Sequence, residues 1–167
     1  MKIALLLVLC AASALAQNPS VNPLAACGSD GASFKTKMDD SRHTVDQPES
    51  GKARIYFIHE SGTPLSLGYP TTKLGVDGKW VGANHSNSYF SVSVEPGEHH
   101  LCAALQSSLV GSRVELAHFQ AEAGKVYFYR TRLVMSRSIE LLDLEPLDSD
   151  QGRYLVDSFP LSISTRK

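Results

Sequence analysis

Short apolar runs separated by tight-turn signals dominate the chain from Ala53 onwards. The run Ser88–Glu95 is typical, because Phe90, Val92 and Val94 alternate with polar residues. A period of two residues places such side chains on one face of a β-strand. Runs of this kind recur at roughly ten-residue spacing, which is typical of two-layer β-domains. The sequence therefore predicts a mainly β fold, an antiparallel β-sandwich of about seven or eight strands.

Glycine-containing turns punctuate these runs. Asp77-Gly78 lies between two strand-like runs, and such a pair suits the positive φ angles of a tight hairpin turn. Pro96-Gly97 and Gly124 each follow a run and begin the next one. We interpret these five residues as structural turn residues.

The segment after Leu147 differs from the strand pattern. Asp148 or Ser149 can cap a helix, and Tyr154 and Leu155 follow at helical spacing. The sequence predicts one short C-terminal helix in this region.

A hairpin is predicted from the runs 125–134 and 139–147. It brings Arg130 and Arg132 near Glu140 and Asp143, and opposite charges across two strands favour one register over others.

The first sixteen residues have the features of an export signal. A basic start at Lys2 precedes an apolar run, and Ala14-Leu15-Ala16 resembles a cleavage site. The run is shorter than the roughly 20 residues of a membrane-spanning helix. Cys10 offers lipid attachment as an alternative, but the cleavage site fits conventional processing better. We expect a periplasmic or secreted protein with no transmembrane segment.

Residues 17–52 form a polar N-terminal arm rich in proline, glycine and asparagine, and we expect it to be irregular. Cleavage leaves two cysteines, Cys27 in the arm and Cys102 in a predicted strand. An even count in an oxidising compartment predicts a disulfide between them, which clamps the arm over the outer face of a sheet. Two free thiols are the alternative. The domain organisation is then a signal peptide at 1–16, the arm at 17–52 and a single β-sandwich domain at 53–167.

Charge and motifs exclude several classes of function. The formal net charge of −1 gives no basic footprint for nucleic acid. The chain contains no G-x-S-x-G elbow, no phosphate-binding glycine loop and no H-E-x-x-H zinc motif. We therefore expect a protein that is not an enzyme and needs no cofactor.

Histidines supply the alternative of a metal site. If Gln106 pairs with Ser112, the register places His100 opposite His118 and on the same face as Cys102. Two imidazoles and a thiolate are ligands for zinc or copper. The competing interpretation is a solvated histidine pair beside a disulfide, since both sites need the same sulfur.

The aromatic residues also allow two interpretations, a sugar-stacking platform or packing inside the sandwich. Core packing is the commoner role of aromatic residues in such a fold. The residues concerned are Tyr56, Phe57, Trp80, Tyr127, Phe128 and Tyr129.

Several strand and turn motifs resemble an uncharacterised family of exported bacterial envelope domains. The motifs are Ala53-Arg54-Ile55-Tyr56-Phe57, Val76-Asp77-Gly78-Lys79-Trp80-Val81-Gly82, Glu95-Pro96-Gly97-Glu98-His99 and Ala123-Gly124-Lys125-Val126-Tyr127-Phe128. Part of this pattern is also similar to PEGA-type β-sandwich modules. The resemblance covers about residues 52–160, and it implies a fold and an envelope location without catalytic residues.

These observations predict an exported, non-enzymatic β-sandwich that binds or supports an envelope protein or polysaccharide. Exposed sheet edges or end loops are the expected contact surface. The alternative is a module that binds a small ligand or a metal through the histidine pair. The sequence leaves the ligand and the oligomeric state open.

Overall fold

The computed structural model describes residues 27–28, 32–61, 71–85, 87–106, 114–136 and 139–167. The predicted export signal and Cys10 lie outside these residues. The described part of the chain forms ten strands and one helix: β1 Phe34–Asp39, β2 Ala53–Glu60, β3 Thr71–Val76, β4 Lys79–His85, β5 Ser88–Val94, β6 Gly97–Leu105, β7 Val114–Ala121, β8 Val126–Ser136, β9 Ile139–Leu147, α1 Ser149–Ser158 and β10 Leu161–Arg166.

The strands form two sheets that pack as a sandwich. The first sheet has six strands in the order β1-β10-β5-β2-β8-β9, and the second has four in the order β4-β3-β6-β7. Most pairs are antiparallel, but β2 pairs with β8 and β10 pairs with β5 in parallel. The predicted mainly β sandwich with a short C-terminal helix is confirmed.

The main core lies between the two sheets. It contains apolar side chains from both inner faces, among them Ile55 and Phe57 of the first sheet and Leu74 and Leu101 of the second, each 0% exposed. Burial of such side chains is the main source of stability in a domain of this size.

Local turn chemistry explains the hairpins. Asp77 and Gly78 have φ angles of 49° and 75°, and they join β3 to β4 as predicted. Gly124 has a φ of 76° in the turn before β8. Gly82 has a different reason, because a Cβ there would lie 2.8 Å from ring atoms of Phe90.

The strand count differs from the prediction. Eight predicted strands are present as β2 to β9, and β1 and β10 are additional. β1 lies in the arm that we expected to be irregular, and it pairs with β10 from Phe34↔Arg166 to Asp39↔Leu161. Because each strand depends on a partner more than 100 residues away, roughly the span of a whole domain, neither carries a local hairpin signal.

The arm crosses the outer face of the second sheet, as the clamp hypothesis predicted. Cys27 is joined to Cys102 of β6 by a disulfide, with the two Cα atoms 5.3 Å apart. Both cysteines belong to a buried cluster with Phe34, Trp80 and other apolar residues. Gln106 adds a polar tie, because its side chain donates to the Phe34 carbonyl at 2.8 Å and accepts from the Phe34 amide at 2.6 Å.

Helix α1 covers the outer face of the first sheet. Asp148 caps it by accepting from the amides of Asp150 and Gln151, both at 2.9 Å. Leu155 and Val156 pack on a cluster that includes Tyr56 and Phe128. No helix within the described residues is long and apolar enough to cross a membrane.

The β8–β9 hairpin has a register that corrects one predicted charge pair. Arg132 lies opposite Asp143 and its Nε is 3.5 Å from that carboxylate, as predicted. Arg130 lies opposite Glu145 and forms an ion pair with it, whereas Glu140 lies opposite Met135. The prediction that both arginines lie near Glu140 and Asp143 therefore holds for Asp143 and is wrong for Glu140.

Candidate functional site

Within the described part of the chain, one edge of β5 has no strand beside it over most of its length. β5 pairs with β2 from end to end, whereas β10 pairs with it only where Leu161 lies opposite Tyr89. Beyond that point β10 pairs with β1 and packs against β4. The first sheet is therefore open between β5 and β10, and this opening is the candidate functional site.

Hydrogen-bond directions show which backbone groups of β5 face the opening. The Tyr89 amide donates to the Pro160 carbonyl at 3.1 Å, so the backbone groups of Tyr89 point toward β10. Because successive residues of a strand direct these groups to alternate sides, Ser91 and Ser93 point the same way, and Val92 points toward β2. Ser91 and Ser93 thus present unpaired strand groups to the opening.

A groove with an apolar floor lies along this edge, and we call it the β5 groove. We call the part of the groove next to Arg54 its upper part. This part has a volume of about 340 Å³, and Val81, Val92 and Ile163 line it. Val81 is the extra residue of a bulge in β4 and is 36% exposed, and Ile163 is 46% exposed. Exposed apolar side chains beside unpaired strand groups are features of protein-binding edges.

Charged side chains form one wall of the groove. Arg54 lies 3.5 Å from the Asp46 carboxylate and 3.4 Å from Ser91 Oγ, and its Nε is buried without a hydrogen-bond partner. Arg42 makes a second contact with Asp46, at 3.4 Å. Arg54 also lies 3.9 Å from the Glu49 carboxylate, so the two guanidinium groups of this wall face two carboxylates.

The groove continues toward the β3–β4 turn through Val81 and Val92. This lower part has a volume of about 270 Å³, and Asp77, Glu95 and His99 line it. The His99 ring contacts the Asp77 carboxylate at 2.6 Å through Nδ1 and the Glu95 carbonyl at 2.7 Å through Nε2. Both partners accept hydrogen bonds, so this arrangement suits a doubly protonated imidazole.

The pKa values of this pair respond to opposing effects. Burial lowers the pKa of His99, but the hydrogen bonds to the Glu95 carbonyl and Asp77 outweigh it and raise the pKa above its ordinary value. Burial alone would raise the pKa of Asp77. The hydrogen bonds from the His100 amide and the His99 ring together outweigh burial, so the pKa of Asp77 lies below its usual range. The pair is therefore a charged clamp at the lower end of the groove.

The predicted metal-site residues are only partly brought together. His100 lies directly opposite His118 and Cys102 opposite Leu116, as the predicted register requires. Both histidines are exposed, but the Cys102 sulfur is buried in the disulfide and is not a thiolate ligand. Among the residues that the structure describes, no group of three histidine, cysteine or acidic side chains could hold a metal ion.

The aromatic residues support the packing interpretation. They are buried or partly buried in three places: the main core, the cluster under α1 and the cluster under the arm. These residues are Phe57, Tyr129 and Tyr127 in the first place, Tyr56 and Phe128 in the second, and Trp80 in the third.

Sequence reasoning missed the β5 groove and its lining residues. Val92 does lie on the face of β5 that it shares with Phe90 and Val94, as predicted, but neither Val81 nor Ile163 was singled out. An open edge depends on strand order, which here rests on the pairing of β10 with β1 and β5. The bulge after Trp80 was the one local signal, since Asp77-Gly78 fixes the turn and an extra residue follows it.

Comparison with known proteins gives one family. The model of a family described as a protein of unknown function, DUF2846, matches residues 49–142, which include β2 to β8 and the start of β9. No curated protein and no solved structure matches the chain.

Proposed function

The chain belongs to DUF2846, a family of proteins of unknown function, and we propose that it is an exported, non-enzymatic module that binds an extended segment of an envelope protein in the β5 groove. The observation that carries this proposal is the unpaired edge of β5 beside exposed Val81 and Ile163. A polypeptide strand is the occupant that uses every part of the site. Its backbone pairs with Ser91 and Ser93, and its apolar side chains cover the groove floor.

The charged wall does not select the charge of the bound segment, because Arg42 and Arg54 face two carboxylates, Asp46 and Glu49. A polysaccharide lacks the regular backbone N–H and C=O groups that pair with a strand edge, and we therefore favour a protein partner.

Export from a bacterial cell is part of the proposal. The disulfide between Cys27 and Cys102 is compatible with an oxidising compartment. The leader-like start of the sequence and the resemblance to bacterial envelope domains and PEGA-type modules point to the same place. The mature chain then begins at Gln17.

Amide hydrogen exchange tests the open edge without a partner. We expect the Ser91 and Ser93 amides to exchange at least tenfold faster than those of Phe90 and Val92, because only the latter are bonded to β2. Equal protection of all four amides would show that the edge is closed.

Photocrosslinking tests the partner. A photoreactive residue replacing Val81 should capture an envelope protein in the native host, and the adduct should map to one contiguous segment of it. The same residue at Tyr154, which is 70% exposed on α1, is the matched control. Addition of a synthetic peptide of the captured segment should then slow exchange at Ser91 and Ser93. Protection elsewhere, or capture from both positions, would contradict the proposal.

The metal-binding alternative rests on one observation, the direct pairing of exposed His100 and His118. Metal titration of the purified protein and of a His118→Gln variant tests it. Saturable zinc binding that is lost in the variant would favour this function over a module that binds only through the groove.

A further inference from the structure

Five buried polar side chains form a single layer inside the sandwich, far from the β3–β4 turn. Three lie in a row across the first sheet, where His59 pairs with Ser88 of β5 and with Thr131 of β8. The other two, Thr72 and Asn84, pair with each other in the second sheet. Each is at most 1% exposed. We call these five residues the inner polar layer.

The two rows face each other across the interior. His59 lies on the same face of β2 as Phe57, which belongs to the main core, and Thr72 lies on the same face of β3 as Leu74. Asn84 reaches from one sheet to the other, since its Nδ2 donates to the Phe57 carbonyl at 3.0 Å. Paired residues in adjacent strands have Cβ atoms about 5 Å apart, so the layer is compact.

The existing hydrogen bonds fix the state of His59. Thr131 Oγ1 donates to the Ile58 carbonyl at 3.4 Å, so it accepts from His59 Nδ1, which lies 2.9 Å away. Burial, with a smaller contribution from His85, lowers the pKa of His59 to about 4. The ring is therefore neutral at pH 7, with the hydrogen on Nδ1 and a lone pair on Nε2.

Among the residues that the structure describes, four atoms of the layer are buried without a hydrogen-bond partner: His59 Nε2, Thr72 Oγ1, Asn84 Oδ1 and Ser88 Oγ. Roughly 90% or more of buried polar groups in proteins have a partner. Two of these atoms only accept hydrogen bonds, and the two hydroxyls both donate and accept. A molecule that satisfies both acceptors must donate at least two hydrogen bonds.

We propose that the inner polar layer is an internal binding site for a small uncharged hydrogen-bond donor, with water as the first candidate and a small hydroxyl compound as the second. None of the five side chains carries a charge at neutral pH, so a buried ion would lose its hydration without compensation. Water meets the donor requirement, and buried water typically makes about three hydrogen bonds. The site is separate from the β5 groove and holds whether or not a partner strand binds there.

Water-oxygen magnetic relaxation dispersion on the full mature protein tests the proposal. The wild type should hold at least one water molecule with a residence time longer than molecular tumbling. A Thr72→Val, Ser88→Ala variant should lose that signal, because two of the four polar partners are gone. Ser162→Ala is the matched control, since Ser162 is buried but its hydroxyl already donates to the Ala83 carbonyl at 2.8 Å.

Two measurements on the wild type alone keep the test independent of whether the double variant folds. The ¹⁵N resonance of His59 Nε2 should have the shift of an unprotonated nitrogen that accepts a hydrogen bond. Mass spectrometry of the supernatant after denaturation then separates the two sources, since water leaves no organic compound. An Nε2 shift typical of a nitrogen without a hydrogen bond, or a bound metal or charged compound, would overturn the proposal.

Discussion

Folding shifts the pKa values of two histidines in opposite directions, because the surroundings of the two side chains differ. His59 is enclosed by apolar residues and uncharged hydroxyls, so burial disfavours its charged form. His99 has a carboxylate and a carbonyl as partners, and these favour the charged form. Protonation of His59 at low pH therefore destabilises the fold, whereas protonation of His99 stabilises it.

Acid should destabilise the protein through His59. The pKa of His59 falls from 6.5 to about 4 on folding, so the unfolded chain binds the extra proton between these values. The free energy of unfolding should fall by about 3 kcal/mol between pH 7 and pH 4 from this residue alone. Urea unfolding at both pH values measures it. A His59→Gln variant should lose that part of the pH dependence, and the exposed His118→Gln variant should retain it.

The His99–Asp77 pair, the charged clamp of the groove, should make the protein more stable at low pH than at high pH. Because folding raises the pKa of His99, its stabilisation is complete below pH 6.5 and is lost as the pH rises through the folded value. Asp77→Asn keeps a residue that tolerates the φ of 49° but removes the charge. We expect it to lower the free energy of unfolding by about 1 kcal/mol at pH 6 and by less at pH 9. An equal loss at both pH values would show that the turn, not the charge, is what Asp77 supplies, and Glu98→Gln on the exposed face is the control.

At the scale of elements, α1 depends on a glycine for its contact with the first sheet. Gly152 lies over Phe128, and a Cβ at this position would overlap the Cγ atom of the ring and lie 2.6 Å from the Phe128 Cβ. The helix therefore sits closer to the sheet than any other residue would allow.

Gly152→Ala should lower stability, although alanine is the better helix former by about 1 kcal/mol. The new methyl group must displace either the ring or the helix, and such overpacking typically costs about 1–3 kcal/mol. Thermal unfolding measures the change. Phe128→Leu in the same chain should reduce the penalty, and a Gly152→Ala protein more stable than wild type would contradict the geometry.

The disulfide attaches one element, the arm, to another. Cys27 and Cys102 are separated by 75 residues, and closing a loop of that length contributes about 4 kcal/mol in the chain-entropy model. Cys27→Ser should therefore lower the free energy of unfolding by about 4 kcal/mol, measured by denaturant titration without reductant. Reduced wild type should match the variant. Cys102→Ser should have a similar effect, because both cysteines are 0% exposed and belong to the same buried cluster.

The sequence separation between paired strands decides which elements could be predicted. The β3–β4, β6–β7 and β8–β9 hairpins join neighbours in the sequence, so alternation and turn residues were enough to find them and even to pair His100 with His118. β1 and β10 pair only with segments that are distant in the sequence, and neither strand has a turn signal or a strong alternation of apolar residues that would predict it. The β5 groove exists because β10 leaves β5 after one residue pair, and no pattern within β5 encodes that.

The whole molecule is more than the segment that the family shares. The family match at 49–142 leaves out β1, α1 and β10. Two segments outside the match cover the outer faces of the sheets: α1 packs on the cluster around Tyr56, and the arm packs on the cluster around Trp80. A core of two sheets alone would expose both clusters to water.

A fragment spanning residues 49–147 should therefore not behave as a native monomer. Without α1 and the arm it exposes Tyr56, Phe128 and Trp80, and without β10 the edge of β5 is open along its full length. Open edges beside exposed apolar clusters promote association between copies. Light scattering after size-exclusion chromatography should show oligomers for the fragment and a smaller, cooperatively unfolding species for residues 17–167. A monomeric fragment with a cooperative transition would mean that the shared segment is a complete folding unit, and that the outer elements serve the groove rather than the fold.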